Sequence, residues 1–440
     1  MLLPPKLMSD VAVALDGDVA THRVAVVATD VDPLDFVRSA APFFGSARFL
    51  ATPDGVTIGS VGVSWRLAAS GVRRFGALEA GWAGLPPLPD GARLLLGFSF
   101  SPDGPHGTEW AEFPSAEVVL PSAAVIADAT GTRLVVAVPP GADTGGIIAT
   151  LRDLAEPGRP RPPGLGDHSV RSIPPGGEWC AAVGEAVQAI RQGSLTKVVL
   201  ARSVLVGTEM TIDPFETVAH LGERNPQCHL YGWQIGDDAL IGATPELLVG
   251  RRGDRVRANP LAGSAQRGEG DEEDRAVGEA LMSSSKDREE HLLVVDDIAE
   301  CLRPLTTELS VPENPSLRRI ATVQHLSTEI AGTLANGVSL FELVRTLHPT
   351  PAVGGTPRTE SMAFIEKAET IDRGWYSGGI GWLSPAGDGD VVIALRCGLI
   401  NGRSARLYAG NGIVADSDPE DELIETRWKF LPMLNLLTVT

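Results

Sequence analysis

A lysine and several carboxylates stand where they could move protons and hold a cation. Lys197 opens the most strand-like run in the chain, TKVVLARSVLV, and shares a face with Val199 and Ala201 by the alternation of a strand. A partly buried lysine can have its pKa lowered until it works as a base. Glu246 is a lone carboxylate in IGATPELLVG, where desolvation disfavours the charged form and makes a candidate acid near neutral pH. Asp287 and Glu290 lie one helical step apart in SSSKDREEHLLVVDDIAECLR, and Glu422, Glu425 and Lys429 follow at similar steps in SDPEDELIETRWK. On helices both spacings bring side chains to one face. Each also has an ordinary reading. Glu246 could face solvent from a strand, Lys197 could be a solvated strand end, and the acidic faces could simply be wet.

The elements that must position these residues are legible in outline. Ile241 to Arg267 is expected to be a hairpin: an apolar run carrying Glu246, a turn at Arg251 to Asp254, then a second run through Pro-Leu-Ala-Gly-Ser. Glu178 to Gln192 has apolar residues at helical intervals and is closed by Gly193. Ser283 to Arg303 reads as a helix with Leu292, Val295, Ala299 and Leu302 as its apolar stripe. Ser417 to Leu437 reads as another, capped by Asp418 with Pro419 at its first position, and Pro432 predicts a kink or an early end. Three glycine-bearing turns, LHPTPAVGGTPR, YSGGIGW and YAGNGIV, could bring backbone N–H groups close to a ligand or could be plain connections. None is a phosphate-binding loop, so nucleotide binding is unsupported.

Residues up to about 160 alternate short Val, Ala and Leu runs with Gly, Pro and Asp, which predicts a sheet with few helices. Gly76 to Gly84 and the prolines near Pro86 are expected to be connections, and no catalytic constellation stands out. Pro157 to Pro175 reads as a linker or long surface loop. It divides a sheet-rich half, 1–172, from a half carrying the chemistry, 173–440.

Composition narrows the class. A chain of 440 residues with 43% hydrophobic and 21% charged residues can bury a large core. A net charge of −19 argues against nucleic acid or an anionic membrane as partner, and it means that an anionic substrate needs local cations. Cys180, Cys228, Cys301 and Cys397 form no CxxC pair, which fits a reducing compartment. The N-terminus is too short and proline-broken for a signal segment, so a cytoplasmic protein is expected.

From about 175 to 435 the chain resembles the chorismate-utilising enzymes, the family of isochorismate, salicylate, anthranilate and aminodeoxychorismate synthases. The resemblance rests on ordered segments: KVVLARS, TPELLVGR, PLAGSAQRG, SSKDREEHLLVVDDI, VQHLST, LHPTPAVGGTPR, YSGGIGW, VVIALRC and AGNGIVADSDPEDELIETRWK. It implies an α/β (α+β) fold, one large domain of two stacked antiparallel β-sheets flanked by helices, with the active site in the cleft. It implies chorismate as the small-molecule substrate, Mg²⁺ as cofactor, and a monomer, with a homodimer as the alternative. Matched position by position, Glu290 and Glu425 fall on the family's metal-ligating glutamates, with Asp287 and Glu422 as outer carboxylates. Gly263, His325, Ala352, Tyr376, Arg396, Gly410 and Lys429 fall on substrate-site positions, and Lys197 and Glu246 on the base and the acid.

Such a site makes chemical sense for a dicarboxylate on an acidic protein, because Mg²⁺ held by one or two carboxylates commonly bridges protein to anion. Within the family, a lysine at 197 points to water rather than ammonia as nucleophile, and HPTPAVGGTPR resembles the isochorismate branch. The expected reaction is chorismate to isochorismate, with salicylate synthase as the alternative and a non-catalytic chorismate-binding relative as another. Menaquinone, siderophore or salicylate synthesis would be the pathway served. Asn411 departs from the small alanine usual between the two glycines of AGNG.

Overall fold

A computed structural model describes residues 1–18, 20–85, 87–160 and 165–438. Pro86 and part of the expected linker, 161–164, lie outside the described residues. Two large antiparallel sheets dominate, one of twelve strands and one of nine, with a separate three-stranded sheet beside them. The centre of the larger sheet runs Ser46–Ala51, His229–Ile235, Asp238–Thr244, Cys397–Asn401, Ser404–Ile413, Lys197–Thr208. The nine-stranded sheet places Leu94–Phe98, Gly379–Leu383, Gly389–Ile393, Leu247–Arg252 and Arg255–Asn259 in sequence across its middle. Strands from before and after residue 172 therefore share both sheets as two blocks, which meet where Ser46–Ala51 pairs with His229–Ile235 and Leu94–Phe98 with Gly379–Leu383.

Apolar side chains of the two sheets meet in one cluster, including Leu50, Tyr231, Trp233 and Leu399 from the larger and Leu95, Ile380, Trp382 and Val392 from the smaller. Helices cover the outer faces. Ser285–Leu302 and Leu340–Leu347 bury their stripes with the smaller sheet, while Gly176–Arg191 and Pro419–Thr438 lie on the strands Lys197–Thr208 and Ser404–Ile413 of the larger. The expected stacked-sheet architecture is present, and the three-stranded sheet (Leu261–Gln266, Val323–Ser327, Ser316–Arg319) adds to it.

Several expectations need correction. The first 160 residues carry four α-helices among those described, Pro5–Ala14, Pro33–Ala40, Arg74–Trp82 and Thr144–Arg152. Arg74–Trp82 replaces the connection expected at Gly76 to Gly84, because burial of Phe75 and Leu78 outweighs the weak helix propensity of its glycines. Within the expected linker, His168–Ile173 is a strand paired antiparallel with Ser203 to Thr208. Leu292 is 42% exposed, and the buried stripe of its helix is His291, Val294, Val295, Ile298, Ala299 and Leu302. Of the two outcomes expected at Pro432, the early end does not occur, since the last helix runs from Pro419 to Thr438. A proline inside a helix costs about 3 kcal/mol. Burying Phe430, Met433, Leu436 and Leu437 along the same face offsets it, since each large apolar side chain contributes about 1.5–3 kcal/mol. Among the described residues, no helix is long and apolar enough to cross a membrane. All four cysteines are free thiols.

Candidate active site

The hairpin around Glu246 forms, but Glu246 is not in one of its strands. Its arms are Leu247–Arg252 and Arg255–Asn259, joined at Gly253, whose φ is 58°. The preceding strand, Asp238–Thr244, belongs to the larger sheet. Pro245 and Glu246 are thus the short joint by which the chain leaves one sheet and enters the other. That joint lies inside the stacked sheets, and Glu246 is 4% exposed. Burial pushes its carboxyl up to about 8, against the opposing pull of Lys197 and Arg396.

Lys197 begins the strand Lys197–Thr208 and is buried, and its Nζ meets Glu290 Oε1 at 2.9 Å. Burial alone would raise the Glu290 carboxyl. The charge of Lys197 and its hydrogen bond, helped by Lys429 and Lys286, outweigh burial and hold Glu290 below its ordinary value. Two carboxylates in one cavity are therefore pushed in opposite directions, Glu246 toward its protonated form and Glu290 toward its ionised form.

The helix Pro419–Thr438 brings Glu422, Glu425 and Lys429 to the same place. Asp418 caps it, accepting from the backbone N–H of Glu420 at 2.9 Å and of Asp421 at 3.3 Å. Lys429 Nζ meets Glu425 Oε1 at 2.7 Å and donates to the Gly410 carbonyl at 2.9 Å and to Asn411 Oδ1 at 2.8 Å. Glu422 is raised to about 7 by burial and by the neighbouring Glu425 charge. Its two oxygens accept from Ser417 Oγ at 2.7 Å and Asn411 Nδ2 at 3.0 Å. Asp287 is likewise raised, first by burial and further by Glu290.

The small sheet supplies the opposite wall. Ser264 pairs with His325 in its register, and the irregularity at Gly263 turns the strand there with φ 70°. A Cβ on Gly263 would sit 3.1 Å from Asp287 Cβ, so glycine lets the acidic helix approach. His325 Nε2 lies 3.1 Å from Arg396 and its Nδ1 2.9 Å from Ser264 Oγ. A guanidinium only donates, so Nε2 accepts and Nδ1 carries the proton, which agrees with a ring held neutral by burial. The other terminal nitrogen of Arg396 is buried with no protein partner among the described residues. Tyr376 stacks on Tyr408 at 5.3 Å, its phenol pushed up to about 12 by burial. Ser377 and Arg396 are the non-glycine residues with left-handed backbone among those described, at φ 62° and 52°. Both line the cavity, as strained residues at functional sites commonly do.

Every site residue expected from the family resemblance lines one cavity: Lys197, Glu246, Gly263, Asp287, Glu290, His325, Ala352, Tyr376, Arg396, Gly410, Glu422, Glu425 and Lys429. Sequence reading passed over Gly412, Lys286 and Ser377, which also line it. The glycine spacing of AGNG, the lysine beside Asp287 and the serine after Tyr376 were the available signals.

A divalent cation fits the donor set. Glu290 and Glu425 each have one oxygen on a lysine, and no hydrogen bond from the described residues takes the other. Asp287 and Glu422 beside them are raised first by burial and then by the charges of Glu290 and Glu425, which a bound cation would offset. No group of three or more His, Cys, Asp or Glu residues is gathered closely enough among the described residues to cage a metal by itself. Mg²⁺ usually keeps several waters and takes one or two carboxylates, a set that Glu290 and Glu425 could supply.

The sequence pattern of the family described as chorismate binding enzyme matches residues 15–438. A salicylate biosynthesis isochorismate synthase of Pseudomonas aeruginosa is 35% identical over 442 residues, spanning 95% of this chain and 91% of that protein. The isochorismate synthase DhbC of Bacillus subtilis is 40% identical over 280 residues, 62% of this chain and 70% of that one. Among solved structures, the menaquinone-specific isochorismate synthase MenF of Escherichia coli superimposes with a TM-score of 0.85 at 26% identity, covering 98% of this chain and 99% of that one. The chain belongs to the chorismate-binding enzyme family.

Proposed function

We propose that this protein is an isochorismate synthase, an isomerase that adds water at C2 of chorismate and removes the C4 hydroxyl. The observation that carries the reading is a geometric one: the Glu246 carboxyl, raised to about 8 by burial, faces the same cavity as the Lys197 amine. Lys197 takes a proton from the incoming water as its oxygen bonds to C2. The diene shifts, and the bond from C4 to its hydroxyl breaks. Glu246 gives its proton to that oxygen, which leaves as water. Net, one water enters and one departs, as an isomerisation requires. Arg396 suits one substrate carboxylate, its free nitrogen and planar fork matching the anion. Glu290 and Glu425 would hold Mg²⁺, with Asp287 and Glu422 behind them. When bound, that ion neutralises a substrate carboxylate and stabilises charge during the shift.

The test is purified protein with chorismate and Mg²⁺, the products separated by chromatography. Isochorismate is expected. Salicylate with pyruvate as the main product, or a product that requires ammonia, overturns the reading. The Pseudomonas aeruginosa relative is itself named an isochorismate synthase, which favours the isomerase over the lyase.

A further inference from the structure

We infer that Asn411 is a positioning residue that fixes Lys429 and Glu422 to one another at the cavity wall. The inference rests on reading the cavity as a chorismate site.

Asn411 is 1% exposed, on the strand Ser404–Ile413 opposite Leu200. Its Oδ1 accepts from Lys429 Nζ at 2.8 Å. Its Nδ2 donates to the Glu422 carbonyl at 2.7 Å and to Glu422 Oε2 at 3.0 Å. The orientation of the amide is decided by its partners, since an ammonium can only donate and a carbonyl can only accept. A flipped amide would set donor against donor on one side and acceptor against acceptor on the other.

The consequence lies in the donors of Lys429. An ammonium has three. Glu425, the Gly410 carbonyl and Asn411 take them at 2.7, 2.9 and 2.8 Å. These contacts hold the Lys429 amine in one place at the cavity wall. An alanine at 411 would leave a Lys429 donor and Glu422 Oε2 without this partner in a buried place. An aspartate would keep the shape and the Lys429 bond but turn an acceptor toward the Glu422 acceptors.

The experiment compares the wild type with Asn411→Ala, Lys429→Met and the double variant, measuring kcat, KM for chorismate and melting temperature. Asn411→Asp is carried alongside as the isosteric change. Asn411→Ala is expected to raise KM about tenfold while kcat moves less, about the size of one hydrogen bond to a charged group. Asn411→Asp is expected to move KM the same way. In the Lys429→Met background, Asn411→Ala should add little to KM, because the partner is already gone. A KM unchanged in both Asn411 variants, or an equal rise with and without Lys429, overturns the inference. If the wild type does not turn over chorismate, the functional reading fails by itself. The melting temperatures then decide the pairing: non-additive shifts support it, and additive shifts overturn it.

Discussion

A Cβ on Gly412 would lie 2.5 Å from Glu290 Oε1 and 2.6 Å from Lys197 Cε, so the bare backbone of Gly412 is what lets the Lys197–Glu290 pair close. Gly412→Ala should therefore push both groups out of place without disturbing a distant core. Turnover is expected to fall about 100-fold, the cost of a misplacement of about 1 Å in a catalytic group. Steady-state kinetics with circular dichroism checks it. Full activity in the alanine variant would show that the pair has room the structure does not give it.

Glu246 makes two predictions about pH. With its carboxyl at about 8, the protonated acid is present at neutral pH and lost above, so kcat/KM should decline as pH rises past about 8. Glu246→Gln and Lys197→Ala should each cost on the order of 100-fold or more in turnover with the fold intact. The same shift acts on stability. The folded value is raised from 4.5, so the contribution is complete below about 4.5 and is lost as pH climbs toward about 8. Denaturant unfolding across that window should show a flatter pH dependence in Glu246→Gln than in the wild type. Parallel slopes would mean that Glu246 is ionised throughout. The comparison is between variants because Glu422, raised to about 7, adds a slope of its own to both.

Removal of divalent ions with a chelator is expected to abolish turnover, and Mg²⁺ to restore it. Glu290→Gln and Glu425→Gln should each weaken Mg²⁺ binding at least about tenfold by calorimetry, as loss of a carboxylate ligand does for a hard cation. Undiminished Mg²⁺ affinity in both variants would remove these glutamates from the metal site.

Arg396→Lys keeps the charge but loses the planar fork and the bond to His325 Nε2. KM for chorismate should rise about tenfold with a smaller change in kcat, the mark of a group that holds the substrate equally in ground and transition states. A drop in kcat alone would instead place Arg396 in the chemical step.

The local code was legible where a residue answers to its neighbours. Asp418 and Pro419 announced a helix start, Gly193 an end, and the spacing of Glu422, Glu425 and Lys429 one face. Lys197 at a strand start and Glu246 among apolar residues were also visible. Their meeting was not, because it depends on pairings between distant strands, such as Ser46 to Ala51 with Leu230 to Ile235, that no local pattern encodes. The misreadings share that cause. Leu292 fitted a helical stripe as well as His291 did, and only the helix's rotation, with Glu290 toward the cavity, chose between them. Pro432 carried a correct local penalty that packing overrode. Asn411 stood out only as an unusual residue, and its role depended on seeing Lys429 and Glu422 on either side of it.

The joint at Pro245 and Glu246 ties the acid to the seam between two sheets, while Lys197 is anchored in one of them. Any slip of one sheet over the other is then transmitted to the gap between acid and base. Residues that set the seam, such as Trp233 and Trp375 with ring centroids 5.2 Å apart, act as shims beneath the machinery, although neither lines the cavity. Catalytic rate in this protein becomes a gauge of how tightly its layers are clamped, sensitive to loosening well before the molecule melts.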